Sequence, residues 1–253
     1  MNEHNVKDEN DMRDTTKFRQ GLEKLGIELT ERQMEQFMDY YELLIEKNKV
    51  MNLTAITEFD EVVEKHFIDS LMLAKVRKLD APLRIIDLGT GAGFPGIPLK
   101  IAFPGLDIVL ADSLNKRVNF LNEVIDALAL DADGSICAVH GRAEDLGRNP
   151  AYRESFDLCV SRAVANLSTL SEYCLPFVKI GGAFIPYKSG NVDEELQQSG
   201  NAVKTLGGII ERCEKMVLPG TDISRSFIII NKLEATKKKY PRKAGTPGKE
   251  PLT

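Results

Sequence analysis

Between positions 85 and 96 the chain reads Ile-Ile-Asp-Leu-Gly-Thr-Gly-Ala-Gly-Phe-Pro-Gly, and this stretch restricts the fold more than any other. Leu83 to Leu88 is a short apolar, β-rich run of the kind that forms a buried parallel strand. It stops at a glycine cluster, and a helical pattern follows from about Ile97 to Ala102. Gly91, Gly93 and Gly96 fit G-x-G-x-x-G in the context that the pattern requires, after a strand and opening a helix. Glycine serves there because the backbone must turn tightly and let a ligand approach. The helix start, prepared by Pro95 and Pro98, offers free N–H groups to hold that ligand. A tight turn without a ligand is the competing account, and three glycines in five residues weigh against it.

Strand and helix patterns alternate from this loop onward, the signature of a doubly wound, Rossmann-like α/β sheet. Further strands are expected at Asp107 to Ala111, Ser135 to Val139, Phe156 to Ser161, Gly182 to Pro186, Ile209 to Leu218 and Ser226 to Ile230. Helices fit between most of them, at about Leu114 to Leu128, Leu167 to Phe177 and Val192 to Leu206. Only Pro219-Gly220-Thr221-Asp222 separates the last two strands, so the sheet is expected to end in an antiparallel hairpin. Upstream, Met34, Phe37, Met38, Tyr41, Leu44 and Ile45 mark one face of an amphipathic helix behind Thr30, and a second helical pattern runs from about Asp60 to Lys78. The resulting plan is a polar N-terminal tail (1–20), a helical extension (21–80), a catalytic α/β domain (81–233) and a basic tail (234–253).

A formal charge of −5 argues at first against a polyanionic partner, but the average conceals a split. From Asn231 to Thr253 there are seven basic residues and two acidic ones, so an acidic body carries a strap of net charge +5. The strap lacks hydrophobic periodicity and reads as mobile or ordered by a partner. No apolar run is long enough to span a bilayer and the N-terminus has no signal-like segment, which leads to the expectation of a cytoplasmic protein. Cys137, Cys159, Cys174 and Cys213 lie far apart without a Cys-x-x-Cys pair, so neither a metal site nor a redox pair is expected.

Asp87 separates the ligand classes. A carboxylate at the end of the first strand would repel a dinucleotide pyrophosphate, whereas S-adenosylmethionine presents an ammonium and a sulfonium. Asp112, ending the second strand, suits ribose hydroxyls in either class. After the third strand, Gly141-Arg142-Ala143-Glu144-Asp145 offers an amide and an acid for an adenine edge, although Glu144 and Asp145 also suit a helix N-terminus.

Asn48-Lys49-Val50-Met51-Asn52-Leu53-Thr54, Lys65-His66-Phe67-Ile68-Asp69-Ser70, the glycine loop, Asp112-Ser113-Leu114-Asn115-Lys116-Arg117, Ser161-Arg162-Ala163 and Tyr187-Lys188-Ser189-Gly190 follow one another in the order and spacing of a single family. From about Leu22 to Lys232 the chain resembles the bacterial 16S rRNA guanine-N7 methyltransferases, also called glucose-inhibited division protein B. The resemblance implies a class I fold, S-adenosylmethionine as cofactor and one guanine in the decoding region of 16S rRNA as acceptor. It implies cofactor contacts from Gly89, Phe94, Asp112, Ser113, Leu114, Ala143, Glu144 and Arg162, beside Asp87, Gly91 and Gly93 of the loop.

Methyl transfer is an in-line displacement, so the protein chiefly positions the reacting atoms. The segment Ser161-Arg162-Ala163-Val164-Ala165 lacks the Pro-Pro-Tyr-like sequence expected of amino-methylating enzymes, and neither Cys159 nor Cys174 is placed as a cytosine nucleophile. Guanine N7 carries an in-plane lone pair and loses no proton, which suits a chain without an evident general base. Arg162, Lys188, Asn52 and His66 are the candidates for the reaction centre. A helix cap accounts equally well for Asn52, and a core histidine for His66. Arg142, Lys188, Arg225, Lys237, Lys238, Lys239, Arg242 and Lys243 are candidates for RNA contact, with solvated surface cations as the other account. Tyr187 suits base stacking or core packing. The partner expected is 16S rRNA or the small ribosomal subunit, with no membrane and no metal, and the protein is expected to act as a monomer. An NAD-dependent oxidoreductase and a non-catalytic RNA-binding assembly factor remain as alternatives.

Overall fold

The computed structural model describes residues 13–252 apart from 81, 133, 163, 164 and 191. Most of the polar N-terminal stretch, and Ala163 of the Ser161-Arg162-Ala163 motif, therefore lie outside the described residues. Strands β1 (Arg84–Leu88), β2 (Asp107–Asp112), β3 (Ile136–His140), β4 (Phe156–Arg162), β5 (Val178–Ser189), β6 (Gly208–Val217) and β7 (Ser224–Lys232) form one sheet in the order β3-β2-β1-β4-β5-β7-β6. The first five pair in parallel, and β7 runs antiparallel to both its neighbours. The expected hairpin is present, but it folds back so that β7 sits inside and β6 forms the edge. Their sequences account for this. Phe227-Ile228-Ile229-Ile230 is apolar on both faces, whereas β6 carries Glu211, Arg212, Glu214 and Lys215, charges that blunt an open edge.

Strand side chains alternate between two cores. Ile85, Ile108, Leu110, Leu158 and Ile185 face the N-terminal helices, while Ile86, Val109, Cys159 and Phe184 face the helices Leu167–Cys174 and Asp193–Thr205. Strand order reverses between β1 and β4, and ligands bind sheets of this kind beyond the carboxyl ends of the strands at such a point.

The N-terminal extension begins earlier than its polarity suggests. Helix Thr16–Leu25 starts inside the segment read as tail, because Phe18 is fully buried against Phe37 and Phe67, with ring centroids 4.9 and 5.8 Å away. Helix Glu31–Met51 opens with a capping box between Thr30 and Gln33. The second helix, expected from about Asp60 to Lys78, spans 59–75 and is not uniform: a π-helical turn, Val63–Ile68, interrupts it at Lys65-His66-Phe67. Such wide turns recur at functional sites. Tyr40 reaches from this extension to donate a 2.6 Å hydrogen bond to the Ala92 carbonyl, tying the helices to the glycine loop.

The C-terminal strap, expected to be mobile or ordered by a partner, is docked on the body of the chain itself. Lys232 is fully buried and donates to the Leu175 carbonyl and Thr236 Oγ1, each at 2.6 Å. Arg153 donates to the carbonyls of Tyr240 and Thr236, and Arg242 pairs with Glu172. The partners of Arg153 and Arg242 are 70 or more positions away in sequence, so a local reading sees only unpaired charge. No helix among the described residues is long and apolar enough to cross a membrane.

Candidate active site

Asp87 ends β1 with its side chain fully buried beneath the loop it precedes. Its Oδ2 accepts hydrogen bonds from Thr90 Oγ1 at 2.6 Å and the Gly96 N–H at 2.8 Å, which fixes both ends of the turn. A Cβ on Gly96 would lie 2.2 Å from Leu110 Cδ2, so only glycine permits this approach. Gly91 needs its glycine for another reason: φ is +64°, and the space beside it is open. Asp87 Oδ1 is buried and has no hydrogen-bond partner. Burial pushes this carboxyl up to about 6, against the opposing effect of the Thr90 and Gly96 hydrogen bonds. Direct contact of Asp87 with a ligand was the expectation; in this conformation it braces the loop from below.

Beside the loop lies a cleft of about 290 Å³ lined by Gly89, Asp112, Ser113, Arg142, Ala143, Glu144 and Tyr173, among others. Asp112 receives the N–H of Gly91 at 3.0 Å and of Leu114 at 2.8 Å, which stitches the first two loops together. The cleft thus gathers five of the residues nominated for the cofactor. Leu114 stands half exposed beyond it. Phe94 lies elsewhere, its ring stacked on His66 at 4.4 Å and 21° with the Arg162 guanidinium 5.1 Å from its centre.

A larger cleft, of about 510 Å³, is lined by Lys65, His66, Asp69, Arg162, Lys188, Glu195 and Arg225, and the two residues that contact Phe94, His66 and Arg162, belong to this lining. Strand register assembles it: Arg162 pairs with Tyr187, and Ser189 pairs with Arg225. Asp69, 1% exposed, holds both arginines. Its Oδ2 accepts from Arg162 Nη1 at 2.9 Å, and its Oδ1 accepts from Arg225 Nε at 2.7 Å. Arg162 also donates to the Lys65 carbonyl, within the π-helical turn, and to His66 Nδ1 at 3.2 Å. His66 Nδ1 also lies 3.1 Å from the Lys65 carbonyl; the tautomer that accepts from Arg162 carries its hydrogen on Nε2, which donates to Thr54 Oγ1 at 2.9 Å. Burial and the adjacent Arg162 charge lower the His66 imidazole to about 3, so it is neutral at physiological pH.

The sequence model of GidB, described as rRNA small subunit methyltransferase G, matches residues 33–224. Ribosomal RNA small subunit methyltransferase G of Lachnoclostridium phytofermentans is 55% identical over 241 residues, covering 95% of this chain and 98% of its own. The protein of that name from Alkaliphilus metalliredigens is 49% identical over 235 residues, with 93% and 97% covered. The chain belongs to the GidB family. Among solved structures, the cyclase SpnF aligns with a TM-score of 0.55 at 12% identity, covering 82% of this chain and 98% of its own. TYW2 of Pyrococcus horikoshii, in complex with MeSAdo, gives 0.51 at 15% identity, with 65% and 61% covered. These two likenesses bear on the fold alone and agree with the α/β sheet.

Other nominated residues of this GidB chain fall into separate groups. Asn52 caps helix Glu31–Met51 at φ 50° and is exposed outside both clefts, as the capping account requires. Tyr187 is buried, donating to the Ser70 carbonyl at 2.8 Å, which is the packing role. Lys188 lies within β5, 2.7 Å from both Glu195 Oε2 and the Ala165 carbonyl. Lys237, Lys238, Lys239 and Lys243 are exposed, whereas Arg242 is occupied by Glu172. Asp69 went unnominated, although it stands in the Lys65 to Ser70 motif. A lone aspartate on a helix carries no local sign of the two arginines that reach it from β4 and β7.

Proposed function

We propose that the chain binds S-adenosylmethionine in the cleft beside the glycine loop and methylates N7 of a guanine in 16S rRNA presented in the cationic cleft. The observation that carries this reading is the pair of clefts at the carboxyl ends of the parallel strands, on either side of the point where strand order reverses, one bounded by the glycine loop and Asp112, the other by Arg162, Lys188 and Arg225. The residues suit the cofactor: Gly91 leaves open space beside the loop, and Asp112 and Glu144 supply acceptors for ribose and adenine. The buried, partnerless Asp87 Oδ1 adds negative potential beneath the loop, favouring a cationic ligand. When bound, S-adenosylmethionine supplies an electrophilic methyl group on a cationic sulfur.

The protein's own part is positioning. Arg162, held from three sides by Lys65, His66 and Asp69, orients the acceptor base in the cationic cleft. Lys188 and Arg225 hold the flanking phosphates, and Lys237, Lys238, Lys239 and Lys243 extend this contact. His66 is a positioning residue: with its imidazole near 3 it is a poor proton acceptor at neutral pH. That fits an acceptor nitrogen that loses no proton on methylation.

Mapping N7-methylguanine in rRNA from cells with and without the protein tests the assignment. One guanine of the small-subunit RNA is expected to lose the modification in the deletion strain and regain it on complementation. An unchanged map would refute it.

A further inference from the structure

The cofactor cleft has an outer wall made by Glu144 and Tyr173. Both residues are backed by the C-terminal strap. Glu144 is buried, and its Oε1 accepts a 2.8 Å hydrogen bond from the N–H of Gly245. Gly245 has φ +82°, a conformation that side-chain-bearing residues rarely adopt, so the direction of this N–H depends on glycine. The Tyr173 hydroxyl lies against Gly248, where a Cβ would stand 3.5 Å from it. Helix Leu167–Cys174, which carries Tyr173, is clamped at two further points. Thr169 Oγ1 donates to the Pro247 carbonyl at 3.0 Å, and fully buried Glu172 takes the Arg242 guanidinium through Nη2 at 2.6 Å and Nε at 2.9 Å.

We propose that the strap segment 242–248 is a positioning element of the cofactor cleft: docked on Glu172 and Glu144, it sets the outer wall and thereby the affinity for S-adenosylmethionine. This rests on the cofactor reading given above and goes beyond it, since the basic tail otherwise enters only as an RNA contact. A cation far along the chain thus acts on a small-molecule site. Arg242 spends its charge on Glu172, which fixes where Gly245 meets Glu144. With the strap released, Glu144 loses the donor that holds its carboxylate, and Tyr173 loses its backing.

The experiment uses the full chain with Gly245→Ala and Arg242→Ala, titrated with S-adenosylhomocysteine by calorimetry and assayed for kcat and KM on small-subunit rRNA. Both variants are expected to bind S-adenosylhomocysteine about five- to tenfold more weakly, the scale of one lost hydrogen bond. KM for S-adenosylmethionine is expected to rise in step, while kcat at saturating cofactor stays close to that of the unaltered protein. Arg242→Lys, which keeps one contact, is expected to recover part of the affinity. Wild-type affinity in folded Gly245→Ala overturns the proposal, and that variant decides alone if Arg242→Ala fails to fold. An equal loss of rRNA affinity at saturating S-adenosylhomocysteine, with cofactor binding intact, also overturns it in favour of RNA contact. If the unaltered protein does not bind S-adenosylhomocysteine, the cofactor reading itself falls, a result distinct from failure of the strap.

Discussion

Replacing Asp69 with asparagine removes the charge that two arginines share while keeping the shape of the side chain. Asp69 is buried, and the side chains of Arg162 and Arg225 are only 15% and 16% exposed, so water compensates little of the lost attraction. Breaking a fully buried ion pair from one side costs about 3–5 kcal/mol. The asparagine keeps one carbonyl acceptor and the guanidiniums border a cleft, so about 2–3 kcal/mol is expected here. At about 2–4 °C per kcal/mol for a chain of this size, the melting midpoint falls by about 4–12 °C. Function is expected to fall further than stability. Arg162 loses one of its three anchors, and a misaimed positioning group lowers single-turnover methylation by about tenfold or more at a temperature where the variant is folded. Asp69→Asn combined with Arg225→Gln supplies the control, because relieving the excess positive charge restores part of the stability without re-anchoring Arg162. An unchanged midpoint together with an unchanged single-turnover rate would refute the shared-carboxylate argument, and strict additivity of the two substitutions in stability would refute the coupling.

Tyr40→Phe removes the hydroxyl that holds the Ala92 carbonyl at 2.6 Å, and an expected loss of about 1 kcal/mol appears as a roughly fivefold rise in KM for the cofactor with little change in kcat; an unaltered KM counts against the brace. Asp87 is protonated more readily in the folded than in the unfolded chain, so its contribution to stability is full below about pH 4 and is lost as pH rises through about 6. Asp87→Asn is therefore expected to gain stability relative to the parent on the order of 2 kcal/mol at pH 8 and little at pH 4, and equal differences at both pH values would contradict the burial argument. The His66 ring, lowered to about 3, is expected to show no titration above pH 5 by NMR, and a midpoint near its ordinary value would remove the neutral-imidazole assignment. Converting Lys237, Lys238 and Lys239 to glutamine is expected to lower the salt slope of rRNA binding by about 2, and an unchanged slope would free these lysines of any RNA role.

Much of the fold is legible in linear sequence because its signals are local. The β1 run, the glycine cluster after it and the apolar stripe on Glu31–Met51 each announce an element within a dozen residues. Phe18 is the counterexample: one aromatic in a polar segment gives too little periodicity to mark a helix, yet Phe37 and Phe67 bury it completely. The interior place of β7 was implicit in its unbroken apolar run, but its neighbours depend on how the hairpin folds back.

For the site the division is similar. The residue types for binding a nucleoside and a polyanion, and the membership in the GidB family, follow from sequence order and spacing alone. Which of those residues face a cleft does not. Asp87 lies under its loop, Asn52 caps a helix and Arg242 is consumed by Glu172, whereas the unremarked Asp69 holds the two arginines. Backbone motifs are written in neighbouring residues, and neighbouring residues determine them. A charge acquires its role from whatever partner the folded chain brings within about 3 Å, and for Arg242, Arg162 and Arg225 those partners come from 70 to 156 positions away. Only the tertiary structure decides which cations are free for RNA and which are already spent on the protein itself.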